Sequence, residues 1–154
     1  MRCSLKPFAV AVMCALASAG AVAFQDADPL KAIVGSYLEI QAQLAADKFD
    51  GVKPAAAAIA TNAASLGQER GARIAQTAKA VGDAKDLKAA RDAFGPLSDA
   101  VIAAAQGHGK DLAGVKLAFC PMVNRSWLQK DAKVRNPYYG SAMLECGDLK
   151  DLKK

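Results

Sequence analysis

The chain has 154 residues, of which 53% are hydrophobic and 23% charged, and its formal net charge is +5. This length is enough for one domain with a modest hydrophobic core. The charge is small and spread along the chain, so the composition does not indicate a nucleic-acid-binding protein.

The first 23 residues have the three parts of a secretory signal peptide. Arg2 and Lys6 form a basic start, residues 8–16 form an uncharged apolar run, and residues 21–23 (Ala-Val-Ala) suit a signal peptidase. Residues 17–19 offer a second cleavage site. The apolar run is shorter than the roughly 20 residues that span a bilayer. We therefore expect cleavage rather than a retained anchor, and a periplasmic or secreted protein.

Cleavage changes both the charge and the cysteine count. It removes two basic residues and no acidic ones, so the net charge falls from +5 to +3. It also removes two of the four cysteines and leaves Cys120 and Cys146. No later segment is apolar and long enough to cross a membrane. We predict a single domain over 24–154, with a helical bundle at 28–107 and a C-terminal segment at 113–149, here called the cap segment.

The first predicted helix has the clearest signals. Asp28 is a suitable N-cap, and Pro29 suits the first helical position. Apolar residues then recur at helical spacing over 30–44. The helix is expected to end within 47–51.

Two further helical stretches follow. One starts near Pro54, is interrupted around Gly67 and ends near Gly82; the next has a heptad-like apolar seam over 87–104. Gly95-Pro96 lies inside that seam and predicts a kink or a restart of the helix. Many seam positions are alanine, which buries little apolar area, so we expect extra stabilisation from a disulfide, a metal or a partner.

Three or four amphipathic helices with short connections predict an all-α fold, a small antiparallel bundle. The cap segment shows no helical stripe and is expected to be irregular. Val115, Leu117 and Phe119 alternate there and predict one short strand. The lysines and aspartates that close the chain are expected to form a solvated tail.

All the sulfur of the mature chain lies in the cap segment. Cys120 and Met122 form one pair, and Met143 and Cys146 form the other. Thiolates and thioethers are the ligands that select copper(I). A Cys-x-Met on an extended strand would place both side chains on one face, and a Met-x-x-Cys on a helical turn would do the same. The four residues are thus a candidate metal site, with three aromatic residues between the pairs as supporting groups: Trp127, Tyr138 and Tyr139.

Several motifs together resemble one bacterial family: the run from Tyr37 to Gln41, the run from Leu44 to Asp47, Arg91, Phe94, Leu97-Ser98, Cys120-Pro121-Met122, Trp127-Leu128-Gln129, Asn136-Pro137-Tyr138-Tyr139-Gly140 and Met143-Leu144-Glu145-Cys146-Gly147. That family is a domain of unknown function, found alone in small exported proteins and appended to periplasmic adaptor subunits of copper and silver efflux pumps. The segment between Met122 and Trp127 is shorter here than is usual in the family. The resemblance implies a metal-handling context and a periplasmic efflux-adaptor protein as partner.

The same residues also have simpler interpretations. Two cysteines in an exported protein commonly form a disulfide, and a Cys120–Cys146 bridge would remove both thiolates. Methionines are often core fillers, and the three aromatic residues are a natural small core. The two states of the cysteines can also coexist, if the pair cycles between a disulfide and metal-bound thiolates.

An enzyme is not expected. His108, the only histidine, is flanked by glycines, and no phosphate-binding loop, zinc-protease motif or dinucleotide fingerprint occurs. The leading hypothesis is therefore an exported protein that binds copper(I) or silver(I) or assists heavy-metal efflux. The alternative is a structural or interaction module stapled by a Cys120–Cys146 disulfide, with a helical face as its docking surface.

Overall fold

The computed structural model describes residues 28–153, so the predicted signal peptide lies outside the described part of the chain. Helices occupy the first two thirds of it. Their bounds are α1 Pro29–Ala45, α2 Val52–Ala63, α3 Gln68–Gly82 and α4 Leu87–Ala105, with a single 3₁₀ turn, Ala64–Leu66, between α2 and α3. Each helix packs against the next along the chain, and α4 also contacts α1.

The predicted start of α1 at Asp28 is confirmed, and the structure adds a second capped start at α4. The Asp28 carboxylate accepts a hydrogen bond of 3.0 Å from the Leu30 N–H, and Pro29 begins α1. At the start of α4, the Asp86 carboxylate accepts from the Ala89 N–H at 2.8 Å. Both side chains satisfy amides that have no partner inside the helix.

Of the kink or restart predicted at Gly95-Pro96, the restart is wrong, because α4 runs unbroken from Leu87 to Ala105. Pro96 removes one backbone hydrogen bond and normally disturbs a helix interior. Here Phe94, Leu97 and Val101 are all fully buried on the two sides of the proline. Tertiary packing of this face therefore holds the helix together.

Alanine fills much of the seam between α2 and α3. Ala56, Ala63 and Ala78 are buried there beside Ile59 and Ile74. Because alanine side chains are small, the two helices leave an open, mostly apolar groove of about 530 Å³ on their outer side. The larger apolar side chains of the core belong mainly to α1, α4 and the cap segment.

The cap segment forms a three-stranded antiparallel sheet, so the fold is mainly helical rather than all-α. The strands are β1 Lys116–Cys120, β2 Arg125–Gln129 and β3 Asp148–Asp151, in the order β2-β1-β3. The tail that was expected to be solvated supplies β3, and Leu152 beyond it is 6% exposed. The charged composition of the tail did not predict this strand, because its backbone pairs with β1 while its charged side chains are exposed.

The strand predicted from alternation is confirmed as β1, and its most deeply buried side chains are those on either side of Phe119. Ala118 and Cys120 are fully buried, whereas Phe119 is 39% exposed. Ala118 pairs in register with Trp127, which is also fully buried. Side chains paired in register share a face of the sheet, so the small alanine leaves room for the large indole.

Strand β2 lies at the edge of the sheet, and its outer side faces the helices. The Leu128 N–H donates to the Tyr37 hydroxyl at 3.2 Å, and the Ser126 carbonyl accepts from the Tyr138 hydroxyl at 3.0 Å. Residues two apart on a strand direct these groups to the same side. Two tyrosine hydroxyls, one from α1 and one from the cap segment, thus satisfy backbone groups that a further strand would otherwise pair.

The tyrosines also join the aromatic core between bundle and sheet. The rings of Tyr37 and Phe94 stack with centroids 5.0 Å apart, Phe94 meets Tyr138 at 5.7 Å, and Tyr138 meets Trp127 edge-on at 5.9 Å. Contacts of this kind add to the stabilisation from area burial. Within residues 28–153, no helix combines the length and apolar character that a membrane crossing requires.

Tyr37→Phe tests the edge arrangement. The substitution keeps the ring but removes the hydroxyl, which leaves the buried Leu128 N–H and the Ser98 hydroxyl (2.6 Å from it) without that partner. The expected loss is about 1–3 kcal/mol of unfolding free energy, measured by urea denaturation. Tyr139→Phe is the matched control, since the Tyr139 hydroxyl makes neither contact. Equal stability of the two variants would contradict the role given to Tyr37.

Candidate functional site

A disulfide joins Cys120 to Cys146, with the two Cα atoms 5.8 Å apart. Cys120 is the last residue of β1 and is fully buried, while Cys146 lies just before β3 and is half-buried. Of the two interpretations of the pair, the structure therefore shows the oxidised one. The bridge closes a loop that contains β2 and most of the cap segment.

Met122 does not share a face with Cys120, which corrects the strand-based expectation. The strand ends at Cys120, and residues 121–124 form the turn to β2, with Asn124 at a φ of 50°. Pro121 has no N–H to donate to a sheet ladder, so it favours the end of the strand. The Met122 side chain is consequently 67% exposed at the tip of the hairpin.

Met143 and Cys146 lie on one tight turn, as their spacing suggested. The Cys146 N–H donates to the Met143 carbonyl at 3.1 Å, directly after the short 3₁₀ turn Gly140–Ala142. Cys146 is two residues from Asp148, which pairs with Phe119 at the end of β1. The structure thus brings the residues of both sulfur pairs to one end of the sheet, here called the sulfur end: Cys120, Met122, Met143 and Cys146.

The aromatic residues near the sulfur end belong to the core. Trp127 is fully buried, and its indole N–H donates to the Gln129 side-chain oxygen at 2.9 Å. Burial raises the pKa of the Tyr138 phenol to about 12, and its hydroxyl donates to the Ser126 carbonyl. These contacts fit the simpler interpretation, a small aromatic core, while Tyr139 is half-buried beside it.

Gly147 brings the cysteine-bearing turn against this core. Its φ is +135°, and a Cβ there would lie 2.7 Å from the Phe119 carbonyl oxygen and 3.2 Å from the Trp127 ring. Such a close approach of backbone to ring requires glycine. The indole of Trp127 therefore lies beside the chain that leaves Cys146.

Two buried amide side chains organise the loops around the site. Asn136 donates to the Cys146 carbonyl at 3.1 Å and accepts from the Tyr138 N–H at 2.9 Å. Gln129 accepts from Trp127 and from the Arg135 N–H, and it donates to two loop carbonyls, those of Asp131 and Lys133. Each amide is thereby satisfied within the protein, as burial requires. Sequence reasoning had not assigned either residue a role.

A polar contact ties the bundle to the cap segment on another side. The Arg91 guanidinium donates to the Asp47 carboxylate at 2.5 Å and to the Pro137 carbonyl at 2.9 Å. Asp47 in turn accepts from the Ser141 N–H at 3.0 Å. The hydrogen bonds from Ser141 and then from Arg91 lower the pKa of Asp47 from 3.8 to about 2. Asp47, Arg91 and Pro137 belong to the motifs of the family resemblance, but only the fold shows that they meet.

Carboxylates and imidazole do not add a conventional metal site. Within the described residues, no three His, Cys, Asp or Glu side chains group in a way that could hold a metal ion. His108 lies 3.4 Å from the Asp111 carboxylate on an exposed turn after α4. A metal site at the sulfur end would therefore depend on the two cysteines, once reduced, together with the methionines.

The fold and the site define a helical bundle that carries a small antiparallel sheet closed by a disulfide. Residues 33–111, about half of the chain, match the model of a family described as Protein of unknown function (DUF3347). The chain belongs to this family, which confirms the resemblance at that level. The matched range begins within α1, covers the rest of the bundle and ends before β1, so it does not include the sulfur end. No curated protein and no solved structure matches the chain.

The depressed pKa of Asp47 predicts a specific loss of stability in acid. A carboxylate whose folded pKa lies below its unfolded value stabilises the fold above the unfolded pKa. That contribution disappears as the pH falls from near 4 through about 2. The difference in unfolding free energy between wild type and Asp47→Asn should be largest at neutral pH and shrink over this window.

Urea titrations at several pH values would measure this difference. Asp92→Asn is the control, because the Asp92 carboxylate pairs only with Lys88 on the surface, an interaction of small energy. If the difference in unfolding free energy between wild type and Asp47→Asn stays constant down to pH 2, ionisation of Asp47 does not contribute to stability.

Gly140→Ala should destabilise the fold strongly. Gly140 has a φ of +56°, and an added Cβ would collide with the Arg91 guanidinium and the Asp47 carboxylate. We expect a cost above the roughly 1 kcal/mol typical of a single substitution. Gly35→Ala is the matched control, because a Cβ there meets nothing within 4 Å on an exposed turn of α1, and it should be stabilising through helix propensity. Thermal unfolding of both variants checks the contrast.

Proposed function

We propose that this protein is a non-enzymatic module that acts outside the cytoplasm and handles copper(I) or silver(I) at its sulfur end. One observation carries the proposal: two sulfur pairs that are more than twenty residues apart in sequence lie together at one end of the sheet. Soft thiolate and thioether ligands favour these monovalent ions over oxygen-preferring ones.

The sulfur donors available to a metal ion depend on whether Cys120 and Cys146 are oxidised or reduced. In the disulfide, Cys120 and Cys146 provide no thiolate, and only the thioethers of Met122 and Met143 remain as soft donors. The form competent for tight binding is therefore the reduced one. Since the two Cα atoms are 5.8 Å apart in the oxidised form, reduction in place would leave two thiolates side by side.

Exposure differs among the four donors in a way that suits uptake of an ion. Met122 projects from the hairpin tip at 67% exposure, Met143 and Cys146 are half-buried, and Cys120 is fully buried. Met122 could make the first contact with an incoming ion, with the thiolates as the inner ligands. The predicted export and the family resemblance support a periplasmic setting and a periplasmic efflux-adaptor protein as partner.

A second candidate is a structural or interaction module in which the disulfide is permanent. The complete burial of Cys120 and its oxidised state favour this candidate. Exported proteins often rely on such bridges when their cores are small, and the alanine-rich seam between α2 and α3 fits that pattern.

A competition titration tests the metal proposal. The reduced protein is titrated anaerobically with copper(I) held by a chromophoric chelator. We expect the chain to withdraw one ion per molecule, and Cys120→Ser with Cys146→Ser to lower the affinity at least tenfold. Met122→Leu should lower it less, since it removes one thioether. Phe119→Leu is the control, an exposed apolar neighbour without sulfur. If the double serine variant binds as tightly as wild type, the proposal fails.

Two further measurements address the permanent bridge. Protein isolated from the periplasm without reductant should carry no reactive thiols if the bridge is permanent, and two reactive thiols would exclude that candidate. Loss of a bridge between residues 26 apart is expected to cost about 3 kcal/mol of unfolding free energy. Urea unfolding of the double serine variant against oxidised wild type measures that cost.

A further inference from the structure

We infer that the Cys120–Cys146 disulfide is an exchangeable crosslink: a dithiol reductant attacks it at Cys146, and the reduced protein keeps its fold. The inference rests on the proposed function only for the use to which the resulting dithiol is put.

The backbone on both sides of the bridge is held by other interactions. Cys120 pairs with Arg125 in the β1–β2 ladder, and its neighbour Phe119 pairs with Asp148 in the β1–β3 ladder. The Cys146 carbonyl accepts from the Asn136 side chain. The Asn136 N–H also donates to the Leu144 carbonyl at 2.8 Å. Breaking the S–S bond therefore removes one of several connections between these segments.

The two ends of the bridge differ in access. Cys120 is fully buried at the end of β1, whereas Cys146 is half-buried on a short turn. Thiol–disulfide exchange requires an incoming thiolate to reach one sulfur directly. The turn at Cys146 offers that approach, and the strand end at Cys120 does not.

The exchange balances as a two-electron transfer. A thiolate of the reductant bonds to the Cys146 sulfur, and the Cys120 sulfur leaves with the electron pair of the S–S bond as a thiolate. The second thiolate of the reductant then attacks the reductant's own sulfur in the mixed disulfide and releases the Cys146 sulfur as a thiolate. The reductant departs as a disulfide, and the two new thiolates take protons from solvent or remain as metal ligands.

The reaction can be followed without any metal. Trp127 is the single tryptophan of the chain and lies beside the backbone that follows Cys146. Its fluorescence should therefore change as the neighbouring disulfide opens. Near-ultraviolet circular dichroism reports in parallel whether the aromatic core stays packed.

The first experiment treats oxidised wild-type protein with dithiothreitol under native conditions. We expect reduction much faster than global unfolding, with the near-ultraviolet spectrum retained and a cooperative thermal transition afterwards. Reduction that proceeds only at the rate of global unfolding, or a reduced protein without an aromatic signal, would overturn the inference.

The second experiment locates the attacked sulfur. The single variants Cys120→Ser and Cys146→Ser, each checked for folding by the same spectrum, are reacted with a bulky aromatic disulfide reagent. Cys146 in the first variant should react at least tenfold faster than Cys120 in the second. Equal rates would contradict attack at Cys146. Trapping the mixed disulfide of wild type with glutathione and mapping the adduct gives the same answer if a variant does not fold.

These outcomes separate the inference from the proposed function. Native reduction at Cys146 without any copper(I) binding would support the inference and overturn the metal proposal. Copper(I) binding by a chain that can be reduced only after unfolding would overturn the inference alone.

Discussion

Strand β2 has a buried outer edge that no other strand within residues 28–153 covers, and much of the structure follows from that constraint. Its unpaired backbone groups meet the hydroxyls of Tyr37 and Tyr138 instead. Burial raises the pKa of both phenols, that of Tyr37 well above its usual value, so these hydroxyls stay protonated over the physiological range. The two rings, with Phe94 between them, then form the joint at which the helical bundle carries the sheet.

Other motif residues of the helices also contact the cap segment. Gln41 donates to the Arg135 carbonyl at 2.6 Å, and Arg91 reaches both Asp47 and the Pro137 carbonyl. Gln41 and Arg91 both belong to the bundle, and each contacts a backbone carbonyl of the cap segment. Those carbonyls lie beyond the range matched by the family model. Polar side chains of the bundle thus hold the loops of the cap segment that lead to Met143 and Cys146.

The oxidation state of one cysteine pair links structure to the proposed function. The same 5.8 Å spacing of Cα atoms that permits the disulfide would keep two thiolates together after reduction. Because the sheet ladders and Asn136 hold both flanks, the proposed reduced form needs no different fold from the disulfide form. The buried Cys120 and the more accessible Cys146 give the pair a direction of attack, which an isolated Cys-x-Met or Met-x-x-Cys motif could not provide.

The sequence by itself determined the helices, the cap of α1 at Asp28, and the presence of all mature sulfur in one segment, because these depend on local spacing and capping chemistry. It also determined the existence of β1. Tertiary structure alone decided that Ala118 and Cys120 are fully buried while Phe119 between them is exposed, that α4 continues through Pro96, and that the charged tail supplies β3. Each of these outcomes depends on a partner distant in the chain. Ala118 pairs with Trp127, α4 packs against α1, α3 and β2, and the tail pairs with β1. Whether the cysteines lie close enough to bond was decided in the same way, since their spacing is set by strand register rather than by sequence separation.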